Sequence, residues 1–201
     1  MIAAPHHGFV FLAMPKCASS AIEAAVGRQG LFSLSRNPLK HMQASVFEEL
    51  VVPLIEFAGY RRGSYETLCL FREPIAWLHS WWRYRSRLAL ANPRSRRHEN
   101  YTGHVTFEEF TEAYLHGDAD YARLTGQAEF VSDSEGRVCV DRIFRYEESQ
   151  DLLDYLTKKL GVQTAIDRVN VSPQRDLVIS NRARAILAEA LAPEYAIYEA
   201  L

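Results

Sequence analysis

The chain is short of several things, and each shortage narrows what it does. It has three cysteines in 201 residues, an odd and small number that makes no disulfide framework. Neither these nor the seven histidines fall into the spaced Cys/His pairs of a zinc site. No apolar run approaches the ~20 residues that cross a bilayer. The run at Phe9 is short, ends in Pro15-Lys16 and follows no basic region. It does not read as a signal peptide, and the expected location is cytoplasmic. Repeats, low-complexity tracts and clear linkers are missing, and so is the G-x-x-x-x-G-K-[ST] pattern of a Walker A loop. Neither sign of charge is in excess: 23 Lys and Arg stand against 25 Asp and Glu, for a net charge of −2. No recognised nucleic-acid motif accompanies that balance, so nucleic acid is not an expected partner.

What is present is the alternation of an α/β protein. Apolar strand patterns fall at about 8–14, 67–72 and 138–145. Helical patterns fall at about 19–28, 43–59 (broken near Pro53), 74–90, 106–116, 148–160 and 180–192, with a short one after Pro193. Thr106-Phe107-Glu108-Glu109 has the form of a helix N-cap. The expected architecture is a single domain over residues 1–201, with a P-loop-like central parallel sheet flanked by helices. A 48% hydrophobic content is ample for one core.

The stretch from Phe9 to Ile22, FVFLAMPKCASSAI, carries the most chemistry. An apolar strand runs into Pro15-Lys16, then four small residues, then a helix start. Such a turn aims backbone N–H groups and the positive end of a helix dipole at one spot. Lys16 adds a mobile charge, and Ser19 and Ser20 add hydroxyl donors. The arrangement suits a phosphate; the plain alternative is a crossover with a surface lysine. Thr67 to Arg72 reads as a second buried strand. Pro74 suits the first position of the following helix. Arg72 thus sits at the carboxyl end of a strand, where open α/β sheets bind ligands.

Pro15-Lys16-Cys17-Ala18-Ser19-Ser20, with Arg72-Glu73-Pro74 and Ser80 downstream, resembles the sulfotransferase superfamily. More narrowly, it is similar to the carbohydrate sulfotransferases and their small bacterial relatives. The likeness continues through Arg145-Tyr146-Glu147 and Asn170-Val171-Ser172, and so spans nearly the whole chain. It implies that Lys16, Cys17, Ala18, Ser19, Ser20 and Ala21 grip the 5′-phosphosulfate of 3′-phosphoadenosine-5′-phosphosulfate (PAPS). Arg72 and Ser80 would hold its 3′-phosphate. The acceptor would be a hydroxyl, or an amine, on a carbohydrate or small molecule, with no metal needed. Relatives often carry glycine where Ala18 stands and arginine where Trp77 stands.

Sulfuryl transfer also needs a base for the acceptor proton. The resemblance places one near His41, with His104 as the second choice and a surface role as the plain reading of each. His6, His7, His98 and His116 look peripheral, and His79 suits packing. Trp77, Trp81 and Trp82 recur at helical spacing, either as core or, for Trp81 or Trp82, as a stacking surface for adenine or a sugar. Arg175 is a candidate further ligand for the 3′-phosphate. Between Tyr60 and Arg97 nine arginines face only Glu66 and Glu73, forming either an anion-binding patch or a solvated face. The arginine-rich part, 83–104, reads as a loop or lid. Cys69 and Cys139 look like buried small residues. Cys17, at a helix start beside Lys16, has a position that lowers a thiol pKa, which keeps a cysteine nucleophile in play. Two other classes compete: a nucleotide or small-molecule kinase, and a non-catalytic binder of phosphorylated ligands.

Overall fold

The computed structural model describes residues 1–166 and 172–201. In chain order the elements are β1 (Ile2–Ala4), β2 (Phe9–Phe11), α1 (Ser19–Val26), β3 (Phe32–Ser33), α2 (Ala44–Leu50), α3 (Val52–Phe57), β4 (Glu66–Phe71) and α4 (Pro74–Arg85). Then follow α5 (Leu88–Ala91), α6 (Phe107–His116), α7 (Gln127–Val131), β5 (Arg142–Arg145), α8 (Ser149–Leu160), α9 (Asn181–Ala190) and α10 (Ala192–Glu199). They fall into two compact units. One holds residues 1–72, the described residues of 126–166, and 200–201; the other holds 73–125 and 172–199.

The first unit is α/β, built on a five-stranded sheet in the order β3-β1-β2-β4-β5. Strands β2, β4 and β5 run parallel, with Val10 opposite Thr67 and Cys69 opposite Ile143. Strand β1 is antiparallel to both β2 and β3. The sheet is therefore mixed rather than wholly parallel. The cause is local: Pro5–His7 forms one tight turn closed by Gly8 at φ 77°, a left-handed step glycine takes without strain. The chain reverses there without a crossover helix, and antiparallel pairing follows. Both β1 and β2 are fully buried.

A polar lock fixes the parallel register. Asp141 Oδ2 accepts from Thr67 N at 2.7 Å and Thr67 Oγ1 at 2.8 Å, while Asp141 N donates back to Thr67 Oγ1 at 2.9 Å. Residues 138–141, expected as part of the last strand, do not extend β5. Asp133 N donates to Arg137 O and Cys139 N to Val131 O, so a turn at Gly136 folds this stretch back on itself.

The second unit is helical. Its core holds Trp77, Trp82, Phe107 and Phe110, from α4 and α6. The N-cap of α6 is the expected one, with Thr106 and Glu109 exchanging hydrogen bonds. The long helix expected at 74–90 stops at Arg85 and restarts as α5.

Candidate active site

Strand β2 continues one residue past its end, with Leu12 N donating to Leu68 O at 2.8 Å. The chain then turns through Pro15–Ala18 with two non-glycine residues in the left-handed region, Lys16 at φ 65° and Ala18 at φ 51°. Ala18 is the residue before α1 and has no side chain to cap it. The first-turn amides of that helix therefore meet no built-in acceptor from the cap. Helix α4 differs, because Glu73 accepts from Ile75 N and Ala76 N at 3.3 and 2.6 Å. Its positive end is already neutralised by a carboxylate, whereas that of α1 is left for an external anion. Ala21 N donates to Ala18 O at 2.9 Å, which commits it to the helix rather than to a ligand.

The left-handed Ala18 costs about 1–2 kcal/mol against its Cβ, partly offset by the entropy that glycine would lose on folding. Ala18→Gly is expected to raise Tm by roughly 1–3 °C. A differential scanning measurement showing a lower Tm would rule this out.

Cys17 does not behave as its position suggested. Its side chain is fully buried, and Sγ donates to Gln127 Oε1 at 3.7 Å. Burial pushes the thiol pKa up, overriding the favourable charges of Arg72 and Lys16. A cysteine nucleophile is thereby set aside. Cys69 is buried as expected, and Cys139 is half-buried.

Arg72 leaves the end of β4 on the same edge of the sheet, because β2 and β4 run parallel. Its backbone is held from both sides by the fully buried Gln127: Oε1 accepts from Arg72 N at 2.9 Å and Nε2 donates to Arg72 O at 2.8 Å. The guanidinium lies over the Tyr146 ring at 4.5 Å, and Nη1 donates to Lys16 O at 3.3 Å. Its Nε is buried and meets no hydrogen-bond partner among the described residues. A buried cationic donor without an acceptor is costly unless an anion completes it. Gln127 had no recognisable signal in the sequence, since it belongs to a five-residue helix after Gly126.

His41 comes to the cradle's flank. It ends a single turn, Leu39–His41, and its Nδ1 lies 2.6 Å from Ala13 O. A carbonyl only accepts, so Nδ1 carries the proton, and in the neutral ring Nε2 holds the lone pair. From the same turn, Lys40 Nζ donates to Ser20 Oγ at 3.0 Å and to Glu23 Oε2 at 2.7 Å. Lys40 was missed, although its place beside His41 was the available signal.

No protein-family model matches the chain, and no curated protein matches it in sequence. A sulfotransferase from Alicyclobacillus acidocaldarius is similar in structure. The likeness covers 96% of this chain and 94% of that one, at 13% identity and a TM-score of 0.47. The functional reading rests on the chemistry of the site itself.

The remaining sequence candidates belong to the second unit. Ser80 is buried on α4. Trp77 and Trp82 are core residues there, and Trp82 Nε1 donates to Val105 O at 2.9 Å. His79 packs as expected, against the rings of Trp82 and Phe107. Arg175 is not placed as a phosphate ligand. It lies 3.5 Å above the Trp82 ring and spends Nη1 and Nη2 on the carbonyls of Thr102 and Val105. Arg83 and Arg85 are similarly used on carbonyls, of Ser172 and Pro173 and of Asp120 and Arg123. Arg94, Arg96, Arg97 and His104 are exposed. Of the Asn170-Val171-Ser172 motif, 170 and 171 lie outside the described residues. Among those described, no helix is long and apolar enough to cross a membrane, and no group of three His, Cys, Asp or Glu could hold a metal ion.

Proposed function

We propose that this protein is a PAPS-dependent sulfotransferase acting on a hydroxyl or amine of a carbohydrate or small molecule. The observation that carries this reading is the His41–Ala13 hydrogen bond, which fixes the imidazole beside a loop built for an anion and leaves Nε2 as the lone-pair nitrogen of the neutral ring. Arg72 supports it, since its buried and unpartnered Nε suits a nucleotide phosphate.

PAPS supplies a neutral sulfuryl unit on a phosphate leaving group. His41 Nε2 takes the acceptor's proton as the new oxygen–sulfur (or nitrogen–sulfur) bond forms. Lys16 neutralises the charge that gathers on the phosphate oxygen as its bond to sulfur breaks. The amides of Cys17 to Ser20 and the two serine hydroxyls hold the non-bridging oxygens, each donor typically contributing a few kcal/mol at the transition state. Positioning and charge thus carry the catalysis, as in phosphoryl transfer.

Nucleotide choice tests the assignment. Adenosine 3′,5′-bisphosphate is expected to bind at least about tenfold tighter than ADP without Mg²⁺, the difference one charge-assisted phosphate contact supplies. Titration calorimetry with both nucleotides and ATP reads it out. Equal affinities, or a strict need for Mg²⁺, would point to a kinase. The expected preference without sulfuryl transfer to any acceptor would point to a non-catalytic binder.

A further inference from the structure

Ser20 raises a question of direction. Its hydroxyl has one proton and two lone pairs, and the partner nearest it is an ammonium group that only donates. With Lys40 Nζ at 3.0 Å, Ser20 Oγ is the acceptor of that bond. The hydroxyl proton is left over, and among the described residues no protein group accepts it. Lys40 is itself fixed, because Nζ donates to Glu23 Oε2 at 2.7 Å and both side chains are largely buried. Glu23 lies three residues beyond Ser20 on α1, so the ammonium spans the first turn of the helix. Glu23 Oε1 also accepts from the Met1 amino nitrogen at 3.2 Å, which holds the carboxylate in place.

We propose that Lys40 is a positioning residue that turns the Ser20 hydroxyl into a committed donor for the bound anion. The proposal rests on the anion-cradle reading of the loop before α1. A lone serine hydroxyl rotates freely and bonds back to the carbonyl four residues earlier as readily as to a ligand. With one lone pair taken by Lys40, the Ser20 proton is held toward whatever fills the cradle. The Lys40 charge is largely balanced by Glu23, so its influence on the anion passes through Ser20 rather than by direct contact.

Inorganic pyrophosphate is the suitable probe, since it reads the cradle without the nucleotide. Calorimetry is expected to show that Lys40→Met and Ser20→Ala each weaken pyrophosphate about five- to tenfold. The double variant is expected to be no worse than either alone, within about twofold. Losses that multiply in the double variant, or an effect of Lys40→Met without one of Ser20→Ala, would overturn the proposal. Lys40→Met also removes the shorter of the two ion pairs on Glu23, so a fold control is needed. Lys40→Met with Glu23→Gln is expected to recover Tm but not affinity, and recovered affinity would make Lys40 merely structural. If the wild type binds pyrophosphate but does not prefer adenosine 3′,5′-bisphosphate over ADP, the sulfotransferase reading falls while the Lys40 result still stands. If it binds no pyrophosphate, the Lys40 proposal falls.

Discussion

Replacing His41 by alanine is expected to lower turnover by about 10²–10⁴, the usual range for a lost general base, with adenosine 3′,5′-bisphosphate affinity nearly unchanged. The imidazole is tied to Ala13 O through Nδ1, so the substitution removes the lone pair on Nε2 and leaves the anion ligands in place. Burial is the largest influence on the ring and lowers its pKa from the ordinary 6.5; the bond to Ala13 works against this, and the Lys40 charge reinforces it. The free base therefore persists below pH 6.5 in the folded chain. The acidic limb of the pH–rate profile is expected to have its midpoint below that value and to vanish in His41→Ala. Stability follows the same sign. With the folded pKa below the unfolded one, the full contribution is present above pH 6.5 and is lost as pH falls through the folded value. Undiminished turnover in His41→Ala, with the loss in His104→Ala instead, would transfer the role to His104.

Arg72→Ala is expected to weaken adenosine 3′,5′-bisphosphate by about 100-fold or more, because two charge-assisted bonds at about 1.5–3 kcal/mol each are lost. Arg72→Lys recovers little of this, since an ammonium lacks the planar fork and stacks less well on Tyr146. Lys16→Ala is expected to divide differently, with kcat falling more than affinity, because its charge matters most as the leaving oxygen becomes an anion. Equal losses in kcat and affinity for both variants, measured by single-turnover kinetics alongside calorimetry, would contradict this division of labour.

The elements that were legible in the sequence are those whose signal is local. The periodicity of α4, α6 and α8, the apolar run of β4 and the break near Pro53, where α2 gives way to α3 at Val51, all depend on neighbouring residues. Strand β1 was not legible. Ile2-Ala3-Ala4 is short and alanine-rich, and it becomes a strand because β2 and β3 supply partners on both sides. The same holds at the site. Lys16, Ser19, Ser20 and Arg72 announce themselves by residue type at strand–helix junctions. Gln127, which grips the Arg72 backbone from 55 positions away, does not. Arg175 misled because a guanidinium suits carbonyls and an indole face as well as it suits phosphate, and sequence does not say which will be near.

The Thr67–Asp141 lock reaches further than its place in the sheet suggests. Arg72 lies five residues along the same extended run, and a strand measures distance in steps of about 3.3 Å with its faces alternating. A slip of one residue between β4 and β5 would therefore move Tyr146, the residue after β5, by a full step against the guanidinium it stacks on. The two side chains act as the zero mark of a ruler whose reading is taken at the ligand. Damage at that mark would surface as lost anion affinity, though nothing at the binding loop had changed.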